Sequence, residues 1–175
     1  NAVLGRLEVP FGSHWAGRLE LRTGHKSFQQ GKTGVSPVAR RFDGPDYGGR
    51  LGWELHDVER TRALALEYHA VIEDTEAKEF GNLAQDVGAT VRVGLPGHWE
   101  VYGTGTYGWR EYASRDALLR TQRSDRWVSL TVGLSKAITE DVRVALEWTH
   151  TDQDSNVNAF EYDRDLILLS AWFRF

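Results

Sequence analysis

The sequence predicts an all-β protein, an antiparallel up-and-down transmembrane β-barrel, and three observations support this prediction. Apolar and polar residues alternate with a period of two along almost the whole chain, as they do in a strand with one apolar face. Short and long connections between the alternating stretches follow one another in turn. Aromatic residues gather toward both ends of the stretches, where strands would meet the two surfaces of a bilayer.

The alternating stretches have about the 9–11 residues that a tilted strand needs to cross a bilayer. In residues 14–24, Trp15 and Leu19 fall on one face, whereas Arg18 and Glu20 fall on the other. The same alternation recurs to the end of the chain. It predicts nine strands, at residues 2–11, 14–24, 46–57, 62–73, 86–96, 98–112, 126–138, 142–151 and 164–175.

The connections fall into two classes of length. The short ones are residues 12–13, 59–60, 96–97 and 139–141. The long polar ones are residues 30–45, 74–85, 113–125 and 152–163. Outer-membrane barrels have short turns on the periplasmic side and longer loops outside, so the sorting by length favours a barrel of this kind.

The aromatic residues are expected to form two belts at the depth of the lipid headgroups. One belt, at the short-turn rim, would contain Phe11, Trp15, Trp99, Phe173 and Phe175. The other, at the long-loop rim, would contain Tyr47, Tyr68, Tyr107, Trp109 and Trp148.

The number of strands leaves the extent of the barrel open. Single-chain bacterial barrels normally have an even number of strands, and nine is odd. We therefore predict that residues 1–175 form one barrel domain that is N-terminally incomplete, the C-terminal part of a larger barrel. The alternative is a complete eight-stranded barrel plus an extra strand at residues 2–11. A soluble β-sandwich or lipocalin-like barrel is a further alternative.

Composition narrows the function. The 175 residues include no cysteine, which excludes disulfides, thiol nucleophiles and thiolate metal sites. A formal net charge of −4, with charges of both signs scattered along the chain, provides no basic surface for nucleic acid. We predict no cofactor and no nucleic-acid partner, and the oligomeric state stays open.

The end of the chain carries a pattern of its own. Apolar residues occupy every second position before an aromatic last residue: Ile167, Leu169, Ala171, Phe173 and Phe175. The ending resembles the last hairpin of Gram-negative outer-membrane β-barrel proteins. The resemblance implies that these five residues are an assembly signal read by the barrel-assembly machinery. It also implies a location in the outer membrane, in contact with its lipids and lipopolysaccharide.

A narrower resemblance lies in the stretch DSNVNAFEYDRD, residues 154–165. It is similar to the final outer loop of the surface lipoprotein assembly modifier, tetratricopeptide-linked and putative β-barrel porin groups. The resemblance implies a porin-like channel, or the pore module of a system that exports polysaccharide or protein. The alternative is a plugged barrel with a structural or interaction role.

The alternate strand positions that carry polar residues provide candidates for lining the lumen. In a narrow barrel their charges would pair and fill the interior, whereas in a wider barrel they would line a wet channel in which an arginine excess favours anionic solutes. The candidates are Arg18, Glu20, Arg22, Arg50, Glu54, Arg92, Glu100, Arg110, Arg143 and Glu147.

Two further chemistries are weaker alternatives. A lipid A-modifying enzyme would need His150 close to a serine, and Ser155 would have to fold back from a loop to reach it. Residues 152–163 also place acidic and amide side chains at calcium-loop spacing, but Val157 stands where the loop needs glycine. We therefore predict no catalytic residue and no metal site.

Overall fold

The computed structural model describes residues 2–26, 44–57, 59, 61–75, 80–115 and 120–174. These residues form a nine-stranded antiparallel sheet in which every strand pairs with the next one along the chain. The strands are β1 (Ala2–Phe11), β2 (Trp15–Lys26), β3 (Gly44–His56), β4 (Arg62–Glu73), β5 (Asn82–Leu95), β6 (Trp99–Arg115), β7 (Gln122–Ala137), β8 (Val142–Ser155) and β9 (Tyr162–Phe173).

The topology confirms the predicted all-β, up-and-down architecture. β1 pairs with β2 along its whole length, from Ala2 opposite Gly24 to Phe11 opposite Trp15. Residues 2–11 are therefore a full member of the sheet, and the alternative of an eight-stranded wall plus an extra strand is wrong. Among the described strands, β1 and β9 each pair on one side, so the sheet is not closed.

One face of the sheet is apolar, and no other part of the described chain covers it. Leu51 is 60% exposed and Leu169 is 76% exposed on this apolar face. Within the described ranges, the buried hydrophobic residues are Tyr112 and Ala145. A soluble β-sandwich would bury such a face against a second sheet, so that alternative is wrong. The apolar face is the surface that meets lipid.

Aromatic residues of the apolar face lie near both ends of the strands. At the short-turn end, Trp15 stacks on Trp53 with ring centroids 5.0 Å apart, which adds Trp53 to the predicted belt. At the other end, the rings of Tyr107 and Trp109 lie 5.9 Å apart. No helix among the described residues is long enough and apolar enough to cross a membrane.

The strands extend further toward the long connections than the sequence predicts. β5 begins at Asn82 instead of residue 86, and β7 begins at Gln122 instead of residue 126. β6 and β8 likewise end at Arg115 and Ser155. The extensions of β7 and β8 are polar on both faces, and those of β5 and β6 are short and mixed, so a regular apolar alternation that reveals a strand is missing there. Backbone pairing continues regardless of the side chains.

The short turns are tied by local contacts. Gly12 and Gly97 adopt positive φ angles of 77° and 78°, the left-handed region that favours glycine in tight turns. After β3, the carboxylate of Asp57 accepts hydrogen bonds from the Thr61 hydroxyl, at 2.6 Å, and from the Arg62 amide, at 3.1 Å. These bonds, that from Thr61 most of all, lower the pKa of the Asp57 carboxyl below its ordinary value of 3.8.

Adjacent residues of β7 lie on opposite faces, so the same substitution should change the stability of the protein by different amounts at the two positions. Val132→Arg places a charge on the lipid-facing side near the middle of the strand and should destabilise the folded protein by about 2–4 kcal/mol. Thr131→Arg, on the other face, should cost less than about 1 kcal/mol, because water can solvate the guanidinium there. Denaturant unfolding in lipid vesicles, followed by tryptophan fluorescence, measures the free energy of unfolding of both variants. Equal losses of stability would contradict the assignment of faces.

The Asp57 turn predicts a pH-dependent stability difference. Because the folded pKa of Asp57 is lowered, its contribution is present above the unfolded value of about 3.8 and disappears as pH falls through the folded value. Asp57→Asn should therefore lower the melting temperature at pH 7, and the difference from the unaltered protein should vanish in strong acid. Glu59→Gln, an exposed change in the same turn, is the control. A difference that does not depend on pH would contradict the predicted linkage.

Candidate functional site: the polar face of the sheet

All ten predicted lumen-lining residues lie on the face opposite the apolar one, called here the polar face. Antiparallel register sets this arrangement, because directly opposed residues share a face. Glu20 lies opposite Arg50, and Arg110 lies opposite Asp125. That these residues line a lumen stays a prediction. The other seven on this face are Arg18, Arg22, Glu54, Arg92, Glu100, Arg143 and Glu147.

Charged side chains of the polar face interact with the neighbouring strand and across an intervening strand. Arg18 of β2 lies 3.9 Å from Glu8 of β1 and 3.9 Å from Glu67 of β4. Arg143 of β8 lies 3.4 Å from Glu100 of β6. Each of these partly exposed pairs contributes only about 0–1 kcal/mol. Their main effect is to hold long side chains against the wall.

A recess of about 450 Å³ lies on this face near the short turns of β1–β4. Glu8, Arg18, Glu54, His56 and Glu67 provide its polar lining. Small residues between them, such as Gly52, leave the space open. The recess could hold a small polar solute or a cation, since three carboxylates surround one arginine.

The polar face carries acidic residues that the sequence analysis did not select. Asp46 is almost fully buried and lies 2.6 Å from Arg22, and the buried Asp125 lies 2.7 Å from Arg123. Asp86 lies 3.2 Å from His69. Asp46 and Asp86 lie at the same alternate strand positions as the selected arginines, so the alternation could have identified them. Asp125 could not be identified in this way, because it lies in a predicted loop. Because these carboxylates offset positive charge, the arginine excess no longer supports a preference for anions.

Hydroxyl groups replace charges at mid-height of β5–β8. The hydroxyl oxygens of Thr90 and Thr104 lie 2.9 Å apart, as do those of Thr131 and Thr149. We call this group the hydroxyl band. It comprises Thr90, Thr104, Thr106, Ser129, Thr131, Thr149 and Thr151.

Two aromatic rings of the polar face lie flat on glycines of the neighbouring strand. The Trp127 ring covers Gly108, and the Tyr102 ring covers Gly133, so closely that a Cβ at either glycine would collide with the ring. Each ring lies directly opposite its glycine in the register. Neither ring was among the predicted site residues, because an aromatic residue at polar parity gives no distinct signal by itself.

A second recess, of about 320 Å³, opens beside Trp127 toward the long connections. Its lining combines two aromatic rings with hydroxyl, amide and guanidinium groups. The residues are Arg110, Trp127, Ser129, Thr151, Gln153 and Tyr162. We call it the tryptophan recess.

The outer ends of β6–β8 are joined by a packed polar cluster. The Arg123 guanidinium carbon lies 4.7 Å from the centre of the Tyr112 ring and 3.4 Å from that of Phe160. The Ser155 hydroxyl donates to the Asp125 carboxylate at 2.8 Å. These contacts anchor the 3₁₀ turn Asn158–Phe160 against the end of the sheet.

The contacts of this cluster contradict both weaker alternatives, the catalytic pair of His150 with Ser155 and the calcium-type loop. Ser155 faces Asp125 on the polar face, whereas His150 lies on the apolar face, so the two cannot form a catalytic pair. Residues 152–155 continue β8 and do not form a calcium-type loop. The Asn156 side chain instead accepts from the Ser124 amide at 2.9 Å and donates to the Gln122 carbonyl at 2.8 Å.

His150 joins two carboxylates on the apolar face beside the outer aromatic belt. Its Nδ1 lies 3.2 Å from Asp165 and 3.5 Å from Asp163, and the Trp148 indole donates to Asp165 at 3.0 Å. Candidate ligand atoms of the three residues lie within 4.8 Å of one another. Sequence reasoning did not foresee this group, since the two strands meet only through the register of β8 with β9. Exposed acidic groups of this kind are common without a metal.

The predicted assembly signal follows the apolar face of β9. Ile167, Leu169, Ala171 and Phe173 lie on that face, and Phe175 falls outside the described residues. The alternation is incomplete on the opposite side. There, β9 presents Leu166, Leu168 and Trp172, each about half exposed, on the polar face.

Comparison with known proteins reveals one family and one group of solved structures. A profile of the family described as "Putative beta-barrel porin 2" matches residues 30–175. The loop L8 deletion mutant of OmpT, an outer membrane protein of Vibrio cholerae, superposes with a TM-score of 0.69 at 11% identity, covering 97% of this chain and 52% of that chain. The trimer form of in-vitro folded OmpT superposes with a TM-score of 0.64 at 11% identity, and the match covers 97% of this chain and 54% of that chain.

These likenesses show the fold. The chain spans about half the length of the solved structures it matches. No curated protein matches it.

The flat packing of Trp127 on Gly108 predicts a local cost for an added methyl group. Gly108→Ala should destabilise the sheet by about 1–3 kcal/mol, because the rigid indole has to move off the wall. Gly105→Ala in the same strand is the matched control, since no atom lies within 4 Å of a Cβ there. Denaturant unfolding measures both, and equal effects would contradict the packing described.

Proposed function

Because the chain belongs to the putative beta-barrel porin 2 family and is a β-barrel protein of the Gram-negative outer membrane, we propose that its polar face lines an open channel. The observation that carries this proposal is the polar face itself. Every one of the nine strands contributes charged or hydroxyl side chains to it, and many of them stay partly exposed. Such a face needs water, just as the opposite face needs lipid.

The width of the barrel supports a channel over a filled interior. Among the described strands, β1 and β9 each have an unpaired edge, and unpaired backbone groups are not tolerated in lipid, so we infer that further strands close the wall. The solved structures that share this fold are about twice as long. Nine strands in half of such a chain correspond to a barrel of roughly 16–18 strands, a size that leaves an aqueous channel.

Transport is favoured over catalysis. Of the residues considered for lipid A modification, Ser155 and His150 point to opposite faces of β8. The proposed role needs no cofactor. It includes passive passage of solutes and service as the pore module of an export system for polysaccharide or protein.

One observation favours a second candidate, a plugged barrel with a structural or interaction role. Leu166, Leu168 and Trp172 project from β9 on the polar face and remain about half exposed. Large apolar side chains in a wet lumen are stabilised by a cover. A segment of the complete protein that folds into the lumen and rests on these residues would narrow or close the channel.

The channel proposal predicts conductance in a planar bilayer. The purified full-length protein should produce discrete conductance steps with weak charge preference, because the wall carries both carboxylates and guanidinium groups and several of them pair. Thr131→Arg should lower the step size and shift the reversal potential in a KCl gradient toward anions.

Thr139→Arg, in an exposed short turn, adds the same charge away from the mid-height wall and is the control. A folded protein that never conducts would overturn the channel proposal in favour of the plugged barrel. A reversal potential shifted equally by both variants would contradict the placement of Thr131 in the lumen.

A further inference from the structure

The polar face is chemically divided along the sheet. On β1–β4 it is dominated by charged pairs such as Arg18–Glu67 and Arg22–Asp46. On β5–β8 its middle is the hydroxyl band, with the tryptophan recess immediately on its outer side. At mid-height of β5–β8 a solute meets small, uncharged groups, which lie between charged residues such as Arg92 and Glu147 on the short-turn side and Asp86 and Arg110 on the outer side.

Hydroxyl groups of the band keep unused hydrogen-bonding capacity. Each hydroxyl is one donor and two acceptors, and a threonine pair such as Thr131 and Thr149 uses one donor and one acceptor between its two members. The pair therefore retains one donor and three acceptors. Ser129 and Thr151, 3.1 Å apart, do the same at the edge of the tryptophan recess.

Trp127 gives the recess a fixed aromatic platform. One side of its indole rests on Gly108, and the ring remains partly exposed where it lines the recess. The Arg110 guanidinium carbon lies 5.8 Å from the ring centre, within the range of a cation–π contact. Arg110 Nε is buried and, among the described residues, has no hydrogen-bond partner.

We propose that the tryptophan recess is a subsite for neutral saccharide units that move along the hydroxyl band. A sugar ring has a C–H face that packs on an aromatic platform and a rim of hydroxyl groups that both donate and accept. The recess offers Trp127 and Tyr162 for the face, and Ser129, Thr151 and Gln153 for the rim. Its volume of about 320 Å³ is at the lower end of the range for small-molecule sites.

The hydroxyl band favours a polar, uncharged ligand over an ion. Arg110 is the charged member of the recess lining and contacts the Trp127 ring, whereas the carboxylate of Asp125, directly opposite Arg110 in the register, pairs with Arg123. The hydroxyl band adds no charge along the path. This inference rests on the proposed channel function and assigns a class of solute to it.

Block of the channel current by a sugar tests the proposal. Full-length protein in a planar bilayer should show concentration-dependent current block by maltohexaose, and polyethylene glycol of equal hydrodynamic size should block less. Trp127→Ala should weaken the block by roughly two- to tenfold, the effect of losing one aromatic contact. Trp127→Phe keeps a platform and should retain most of the affinity, which distinguishes a binding role from a folding role.

Trp109→Ala is the matched control, because Trp109 lies at a similar height on the apolar face. It should leave the block unchanged. Equal block by maltohexaose and polyethylene glycol, or an undiminished block in Trp127→Ala, would overturn the saccharide subsite while leaving the channel intact.

Binding can also be measured without conductance. Calorimetric titration of maltohexaose into the detergent-solubilised protein should give a signal that Trp127→Ala weakens. If this holds in a protein that does not conduct, the subsite stands and the channel proposal fails. If the channel conducts but neither assay detects sugar, the subsite fails and the channel stands.

Discussion

The ladder of backbone hydrogen bonds between neighbouring strands is the constraint on which this structure depends. In lipid, every backbone N–H and C=O needs a partner, since no water is available to replace one. The nine strands meet this need by pairing each with the next. Among the described strands, the outer edges of β1 and β9 are the ones left without a pairing strand.

Once the ladder exists, the pleat separates two surfaces with different solvents. The apolar face can leave residues such as Leu51 and Leu169 exposed because lipid, not water, surrounds them. The polar face carries charged groups, and several of these, the buried Asp46 and Asp125 among them, are paired with arginines. A conventional hydrophobic core is correspondingly almost absent from the described residues.

Within the polar face, the glycines of β6 and β7 decide where aromatic rings can lie. Gly108 and Gly133 remove side chains from the wall, and the vacated surface is covered by Trp127 and Tyr102 from the opposing strand. This packing keeps the rings flat against the polar face. It also leaves the tryptophan recess beside a rigid platform, the condition that a binding subsite requires.

The sequence by itself determined the fold class, the nine strands and the parity of nearly every side chain, because a period of two follows directly from strand geometry. It did not reveal the polar outer extensions at Asn82, Arg115 and Gln122, since a strand that leaves the bilayer loses its apolar signal.

Only the tertiary structure decided which polar residues meet. Arg22 with Asp46, Arg123 with Asp125, and Trp127 with Gly108 are set by strand register, a relation between distant positions that a local pattern does not contain. The continuation of β8 through Ser155 puts this residue on the face opposite to that of His150, although sequence proximity had suggested the two residues as partners.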